Sequence, residues 1–237
     1  MLKVNNLNLE IAWKKILDDI NFSCWDWEIL SLLWHNGSWK TTLLKSIVKL
    51  VDTKWEIIYE WKDISDLDIS ERVNSWIAYI MQEVPEYTWI KVYDYVKNIL
   101  DFHKKFDEAK VTELFDMFGL DWNIYKERNF DTHLSWWEKK KIEIITTFLM
   151  DKKLYLLDEI EASLDATSRD ILTKLIKKMN LEWKSFIIVS HNQDLIKLAS
   201  NALLLCNWKK QVYWNTDTIL DLYLWRCENC NLPNNCE

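Results

Sequence analysis

A chain of 237 residues, 49% of them apolar, is enough for one large domain or two small ones with a sizeable core, which excludes a peptide, a fibre and a disordered tail. Lys and Arg number 30 against 37 Asp and Glu, and the net charge of -7 supplies no drive toward nucleic acid or an anionic membrane, so no nucleic-acid partner is expected. No run approaches the roughly 18 apolar residues of a membrane span, and Met1 to Glu10 lacks the basic start and apolar run of a secretory signal. The expectation is a cytoplasmic chain that reaches the inner face of a membrane only through a partner. Five cysteines are too few for a disulfide framework at this length, so reduced thiols are expected.

One feature of the composition is abnormal: 2 Gly stand beside 16 Trp, whereas globular proteins average about 7% Gly. A fold of this size needs residues able to adopt positive φ at its turns. Gly and Trp together make 18 of the 237 residues, which is the ordinary glycine share. The reading is that most Trp letters stand where the natural chain has Gly, as happens when UGA codons are translated under the wrong genetic code. Tryptophan should then fall at turns and phosphate loops instead of on amphipathic faces.

In chain order, Glu28 to Leu33 is a short apolar run of the kind that forms a strand buried on both faces, and Leu43 to Val48 has helical spacing. Between them lies Trp34-His35-Asn36-Gly37-Ser38-Trp39-Lys40-Thr41-Thr42. With Gly at 34 and 39 this is G-x-x-x-x-G-K-T, a phosphate loop whose backbone N–H groups cradle the β-phosphate. Lys40 then reaches the β/γ-phosphates and Thr41 ligates Mg²⁺. Tryptophan side chains at those corners would occupy the space the phosphate needs. A strand is expected over Glu56 to Glu60, bracketed by Trp55 and Trp61 as turn glycines would bracket it, and another over Ile77 to Met81 running into Gln82. Val92 to Leu120 reads as helical, with Gly119 as a helix stop.

Next comes Leu134-Ser135-Trp136-Trp137-Glu138 before a helix over Lys139 to Met150. With glycines restored, that is Leu-Ser-Gly-Gly-Glu at a helix N-terminus, a place suited to an anion. Leu154 to Leu157 is an apolar strand ending in Asp158 and Glu159. A carboxylate there can hold Mg²⁺, and a second can orient water for attack on a γ-phosphorus. After a helix over Ala166 to Met179, Ser185 to Ser190 is a further buried strand ending at His191. Ligands collect at the carboxyl edge of such sheets.

These motifs, in this order, resemble the nucleotide-binding subunits of the ATP-binding cassette (ABC) ATPases from Met1 to Trp225. By that resemblance Trp34 to Thr41 looks like Walker A, with Thr42 beside it, and Gln82 like the Q-loop glutamine, a further Mg²⁺ ligand. Ser135, Trp136, Trp137 and Glu138 look like the signature, Asp158 like the Walker B metal carboxylate and Glu159 like the catalytic glutamate. Ser163-Leu164-Asp165 resembles the D-loop and His191 the switch histidine. The resemblance implies an α/β fold: a mixed β-sheet core with the P-loop, and a helical subdomain at about 83–133, within an ATPase domain over 1–226. It implies ATP and Mg²⁺ as cofactors and a homodimer or cassette pair in which one signature faces the other Walker A. Ile11 or Ala12 occupies the place of the usual adenine-stacking aromatic, and Ile160 the place of the usual proline after Glu159.

The Asp158-Glu159-Ile160 sequence with its following acid, and the Glu138-Lys139-Lys140-Lys141 run, look most like the Suf-type iron-sulfur cluster assembly ATPase, whose partners are scaffold proteins. The alternatives are a transporter subunit working on a transmembrane permease, and an inactive interaction module if the tryptophans are genuine. In the tail over 227–237, Cys227, Cys230 and Cys236 have three thiols that could ligate a metal, but their spacing fits no standard site, and free thiols are the reading. Cys24 and Cys206 read as core residues.

Overall fold

The computed structural model describes residues 1–11, 13–34, 39–51, 54–85, 87–131, 134–206 and 209–216. Ala12, His35, Asn36, Gly37, Ser38, Cys227, Cys230 and Cys236 therefore lie outside the described residues. The chain runs β1 (Leu2–Ile11), β2 (Lys14–Cys24), β3 (Ile29–Trp34), α1 (Trp39–Ile47), β4 (Lys54–Tyr59), β5 (Lys62–Asp63), α2 (Ile69–Ser75) and β6 (Ile77–Ile80). Then come α3 (Val92–Phe102), α4 (Glu108–Met117), α5 (Trp122–Tyr125), α6 (Trp136–Leu149), β7 (Leu154–Asp158) and a 3₁₀ turn (Ile160–Ser163). The last elements are α7 (Ala166–Leu181), β8 (Ser185–Val189), α8 (Gln193–Ile196), β9 (Asn201–Cys206) and β10 (Lys209–Asn215).

Two sheets organise these elements. One is four-stranded and antiparallel in the order β2-β1-β4-β5. The other has the order β10-β9-β3-β8-β7-β6, in which β9, β3, β8, β7 and β6 run parallel and β10 is antiparallel to β9. The parallel strands are mostly apolar because both faces are covered. In β7, Leu154 and Leu156 join Leu43, Leu44 and Ile47 of α1 in a core shared with the antiparallel sheet. Tyr155 and Leu157 point the other way, into a core built with α3, α4, α6 and α7.

Register levels the strand ends: Ile80 pairs with Leu157, Asp158 with Val189, and Leu32 with Val189. The carboxyl ends of β3, β6, β7 and β8 therefore lie along one edge.

The tryptophans divide by environment. Trp13, Trp27, Trp61, Trp89 and Trp183 have φ of 66°, 64°, 67°, 62° and 71°, a region costly for bulky side chains. All five are exposed, Trp61 at 85% and Trp89 at 92%. Trp61 sits at the β4–β5 hairpin, as expected of a turn. Trp55, expected to be a turn residue as well, instead lies within β4 and packs partly buried against the core, because that strand begins two residues earlier than the apolar run indicated. Trp122 is only 1% exposed, packs on Phe115 at 4.7 Å and donates its indole N–H to Glu108 Oε1 at 3.2 Å.

The helices also start and stop slightly off the sequence expectations. α6 begins at Trp136 because Ser135 caps it, and α7 continues to Leu181. β8 stops at Val189, so Ser190 and His191 lie in the connection to α8. Cys24 is buried, as expected. No helix among the described residues is long and apolar enough to cross a membrane.

Candidate functional site

The edge formed by β3, β6, β7 and β8 gathers four of the sequence-derived candidates. Lys40, in the first turn of α1 and 6% exposed, places Nζ 3.1 Å from Glu159 Oε1 and 2.9 Å from His191 Nε2. His191 Nε2 is in turn 3.3 Å from Glu159 Oε1. Gln82 approaches from the end of β6 and donates Nε2–H to Glu159 Oε2 at 2.9 Å. Glu159 thus receives a cation, an imidazole and an amide. It reaches them because its own backbone is left-handed, with φ 48° and ψ 35°, and is pinned by its N–H donating to Val189 O at 2.9 Å.

One residue earlier, Asp158 is fully buried. Burial pushes its carboxyl up, while the Thr41 and Tyr79 hydroxyls oppose that rise, Glu159 adds to it and Lys40 opposes it. Tyr79 O–H donates to Asp158 Oδ2 at 3.0 Å, whereas Oδ1 has no hydrogen-bond partner among the described residues. A buried carboxylate oxygen left without a partner, beside a threonine hydroxyl, is a hard-oxygen donor set that fits Mg²⁺, which takes one or two carboxylates and completes its shell with phosphate and water. Thr41 and Asp158 are the residues that could hold it. Gln82, the third expected ligand, is engaged with Glu159 instead.

The Ser135 group forms a separate end. Ser135 caps α6 in a reciprocal box: its hydroxyl oxygen accepts from Glu138 N at 3.3 Å, and Glu138 Oε2 accepts from Ser135 N at 2.7 Å. Burial pushes the Glu138 carboxyl up, but hydrogen bonds from Tyr125 and Ser135 and the charge of Arg128 outweigh it and leave it lowered. Arg128 stacks over Tyr125 at 4.2 Å, so the α5 segment clamps the start of α6. Trp136 and Trp137 meet edge to face at 5.4 Å and stand partly exposed in the first turn. Among the described residues no hydrogen bond or ion pair joins this end directly to the Lys40 cluster.

Two lysines on α6 bridge the gap indirectly. Lys140, fully buried, pairs with Glu143 at 2.9 Å and donates to the backbone carbonyl of Met81, next to Gln82. Burial lowers the Lys140 ammonium and raises the Glu143 carboxyl, and their pairing opposes both shifts. Lys141 pairs with Asp165 at 3.0 Å. Asp165 caps α7, and the Ser168 backbone N–H followed by Lys141 lowers its carboxyl to about 2.

Tyr79, Tyr125, Arg128 and the buried Lys140–Glu143 pair were not singled out from sequence. The alternation of β6 could have flagged Tyr79, whose hydroxyl lies on the strand before Gln82, but its partner depends on the parallel pairing of β6 with β7.

The sequence profile described as "ABC transporter" matches residues 17–162, and the chain belongs to that family: it is an ABC-type ATPase domain that binds ATP. An uncharacterised ABC transporter ATP-binding protein of Methanocaldococcus jannaschii is 27% identical over 239 residues, covering 97% of this chain and 95% of that protein. A solved ATP-binding subunit of an ABC transporter superposes with a TM-score of 0.82 at 20% identity, over 95% of this chain and 94% of its own. A dimeric ATP-binding cassette in a post-hydrolysis state, bound to ADP and Pi, superposes with a TM-score of 0.79 at 17% identity, over 91% and 99%. At such identities the structural likeness speaks for the fold alone.

Proposed function

We propose that the chain is the ATP-binding subunit of a membrane transporter, hydrolysing Mg·ATP in a cassette pair that drives a transmembrane permease from the cytoplasmic face. The convergence of Lys40, Gln82 and His191 on Glu159 carries the hydrolytic part of this reading, because a carboxylate beside a lysine that can take phosphate is placed to orient water for in-line attack on a phosphoryl group. Lys40 passes to the β/γ-phosphates when nucleotide binds. That frees Glu159 to orient the attacking water and accept its proton, while His191 donates toward the γ-phosphate and Gln82 holds the water's other side. Thr41 and Asp158 would hold Mg²⁺, which would supply neutralisation of charge on the phosphates.

The capped N-terminus of α6 at Ser135 is the part each cassette offers to the other's nucleotide. The dimeric relative bound to ADP and Pi, and relatives described as transporter ATP-binding proteins, support the pair and the permease.

A second reading keeps iron-sulfur assembly scaffolds as the partner. Ile160, Glu161 and the Glu138-Lys139-Lys140-Lys141 run favour it, but the described relatives favour the permease. Affinity purification from native cells separates them: a multi-span membrane protein supports the first reading, and soluble scaffold proteins the second.

The same proposal takes most of the sixteen tryptophans as standing for glycine. Five exposed Trp at φ between 62° and 71° support it, as does the need for bare backbone at 34, 39, 136 and 137. Trp122 fits the core as a genuine tryptophan and sets the limit to "most". Peptide masses of natively sourced protein over Trp34 to Lys40 and Trp136 to Lys139 decide it: glycine masses are expected, and tryptophan masses overturn it and leave the inactive interaction module.

A further inference from the structure

We propose that Glu161 is a positioning residue for His191, tying the connection after β8 to the turn after β7 so that the imidazole stays in register with Lys40 and Glu159. This rests on the functional reading above for its effect on hydrolysis, and on geometry for the tie itself.

Glu161 lies in the 3₁₀ turn Ile160–Ser163, directly after Glu159, and is only 5% exposed. A buried carboxylate needs donors, and this one finds them across 29 and 30 residues of sequence. Its Oε1 accepts from the Ser190 hydroxyl and from the His191 backbone N–H at 3.1 Å. Ser190 Oγ then accepts from Asn192 N at 2.9 Å, and Asn192 Oδ1 caps α8 by accepting from Asp194 N at 2.9 Å and Leu195 N at 3.2 Å. Three successive residues, 190 to 192, are therefore keyed directly or at one remove to a single oxygen.

Glu161 Oε2 has no hydrogen-bond partner among the described residues, so the carboxylate works through Oε1. This tie adds to the bond from Glu159 N to Val189 O at 2.9 Å, which also joins the two segments that carry Glu159 and His191. Loss of it leaves the buried Ser190 hydroxyl and the partly buried His191 N–H without their acceptor, and the backbone of His191 moves to find partners. A misplacement of about 1 Å at a reacting centre costs on the order of 10²-fold in rate.

The test uses the full chain bearing glycine at 34, 39, 136 and 137. Glu161→Ala should lower kcat by roughly 10- to 100-fold while the ATP Kd stays within about twofold, and should speed hydrogen exchange at the His191 amide. Glu161→Gln should restore both, because its carbonyl accepts from Ser190 and His191 and its NH₂ replaces an oxygen that had no bond to lose. Ser190→Ala should give a smaller loss, and no further loss in the Glu161→Ala background, the non-additivity expected of one network. The proposal is overturned by unchanged kcat or unchanged exchange in Glu161→Ala, by a Gln variant as impaired as Ala, or by melting temperature and ATP affinity falling together with kcat in both. If the parent hydrolyses no ATP, the ATPase reading is what fails, and exchange at His191 in the Ala and Gln variants still decides the role of Glu161.

Discussion

Lys40 and Glu159 pair across the carboxyl edge of the parallel sheet, Nζ to Oε1 at 3.1 Å, with both side chains largely shielded from solvent. In the proposed function the phosphates of a nucleotide take Lys40 from that carboxylate and then sit beside it. Neutralising Glu159 removes both obstacles. Glu159→Gln should therefore bind Mg·ATP more tightly than the parent, by ~5-fold or more, the shift that about 1 kcal/mol produces. Titration calorimetry on the glycine-bearing chain measures it, and weaker binding by the variant would show that Glu159 does not compete for Lys40.

The capping box at α6 carries a stability cost that can be read separately from chemistry. Ser135→Ala removes the hydroxyl that accepts from Glu138 N and should cost about 1 kcal/mol, or about 2–4 °C in melting temperature for a chain of this size. Glu138→Ala should cost more, since Ser135, Tyr125 and Arg128 all lose their acceptor. Thermal melts that rank the two variants the other way would contradict the description of this end.

Asp165 gives a pH signature. Its folded-state carboxyl is lowered to about 2 by the Ser168 N–H and by Lys141, against about 3.9 in an unfolded chain. A lowered carboxylate contributes stability that is fully present above the unfolded value and is lost as pH falls from about 4 through 2. The side chain is largely exposed, so the contribution is small and best read by NMR titration of the carboxyl itself. Lys141→Ala should move that midpoint up toward the ordinary range, and an unmoved midpoint would remove Lys141 as a cause.

Replacing tryptophans one at a time should give opposite signs at different positions. Trp61→Gly and Trp89→Gly relieve a left-handed backbone at exposed side chains and should stabilise the chain by about 1–2 kcal/mol each. Trp122→Gly empties a packed site against Phe115 and should destabilise it by ~3–5 kcal/mol. Denaturant melts of the three variants test this, and destabilisation at 61 and 89 would argue that those tryptophans are genuine.

The strand before Lys40, the helix that carries it and the acidic end of β7 were legible because each is a local pattern, an apolar run or a helical period, whereas the loop at 35–38 lies outside the described residues. Their meeting was legible only through the rule that parallel strands bring their carboxyl ends to one edge. Contacts that depend on register or on helix azimuth were not legible. Tyr79 reaches Asp158 because β6 lies beside β7, and Lys141 reaches Asp165 because α6 passes the turn into α7. Trp55 misled because a glycine-like letter was read as a turn while the flanking lysine extended the strand by pairing with β1.

Single-turnover and steady-state ATP hydrolysis by the chain with glycine at 34, 39, 136 and 137, compared with its Glu159→Gln variant, tests the central claim most directly. The account predicts that the parent hydrolyses ATP and that the variant loses roughly 10²–10⁴-fold in kcat, the range for removing a general base, while nucleotide stays bound. A variant that turns over at the parental rate would contradict the placing of the hydrolytic carboxylate at Glu159.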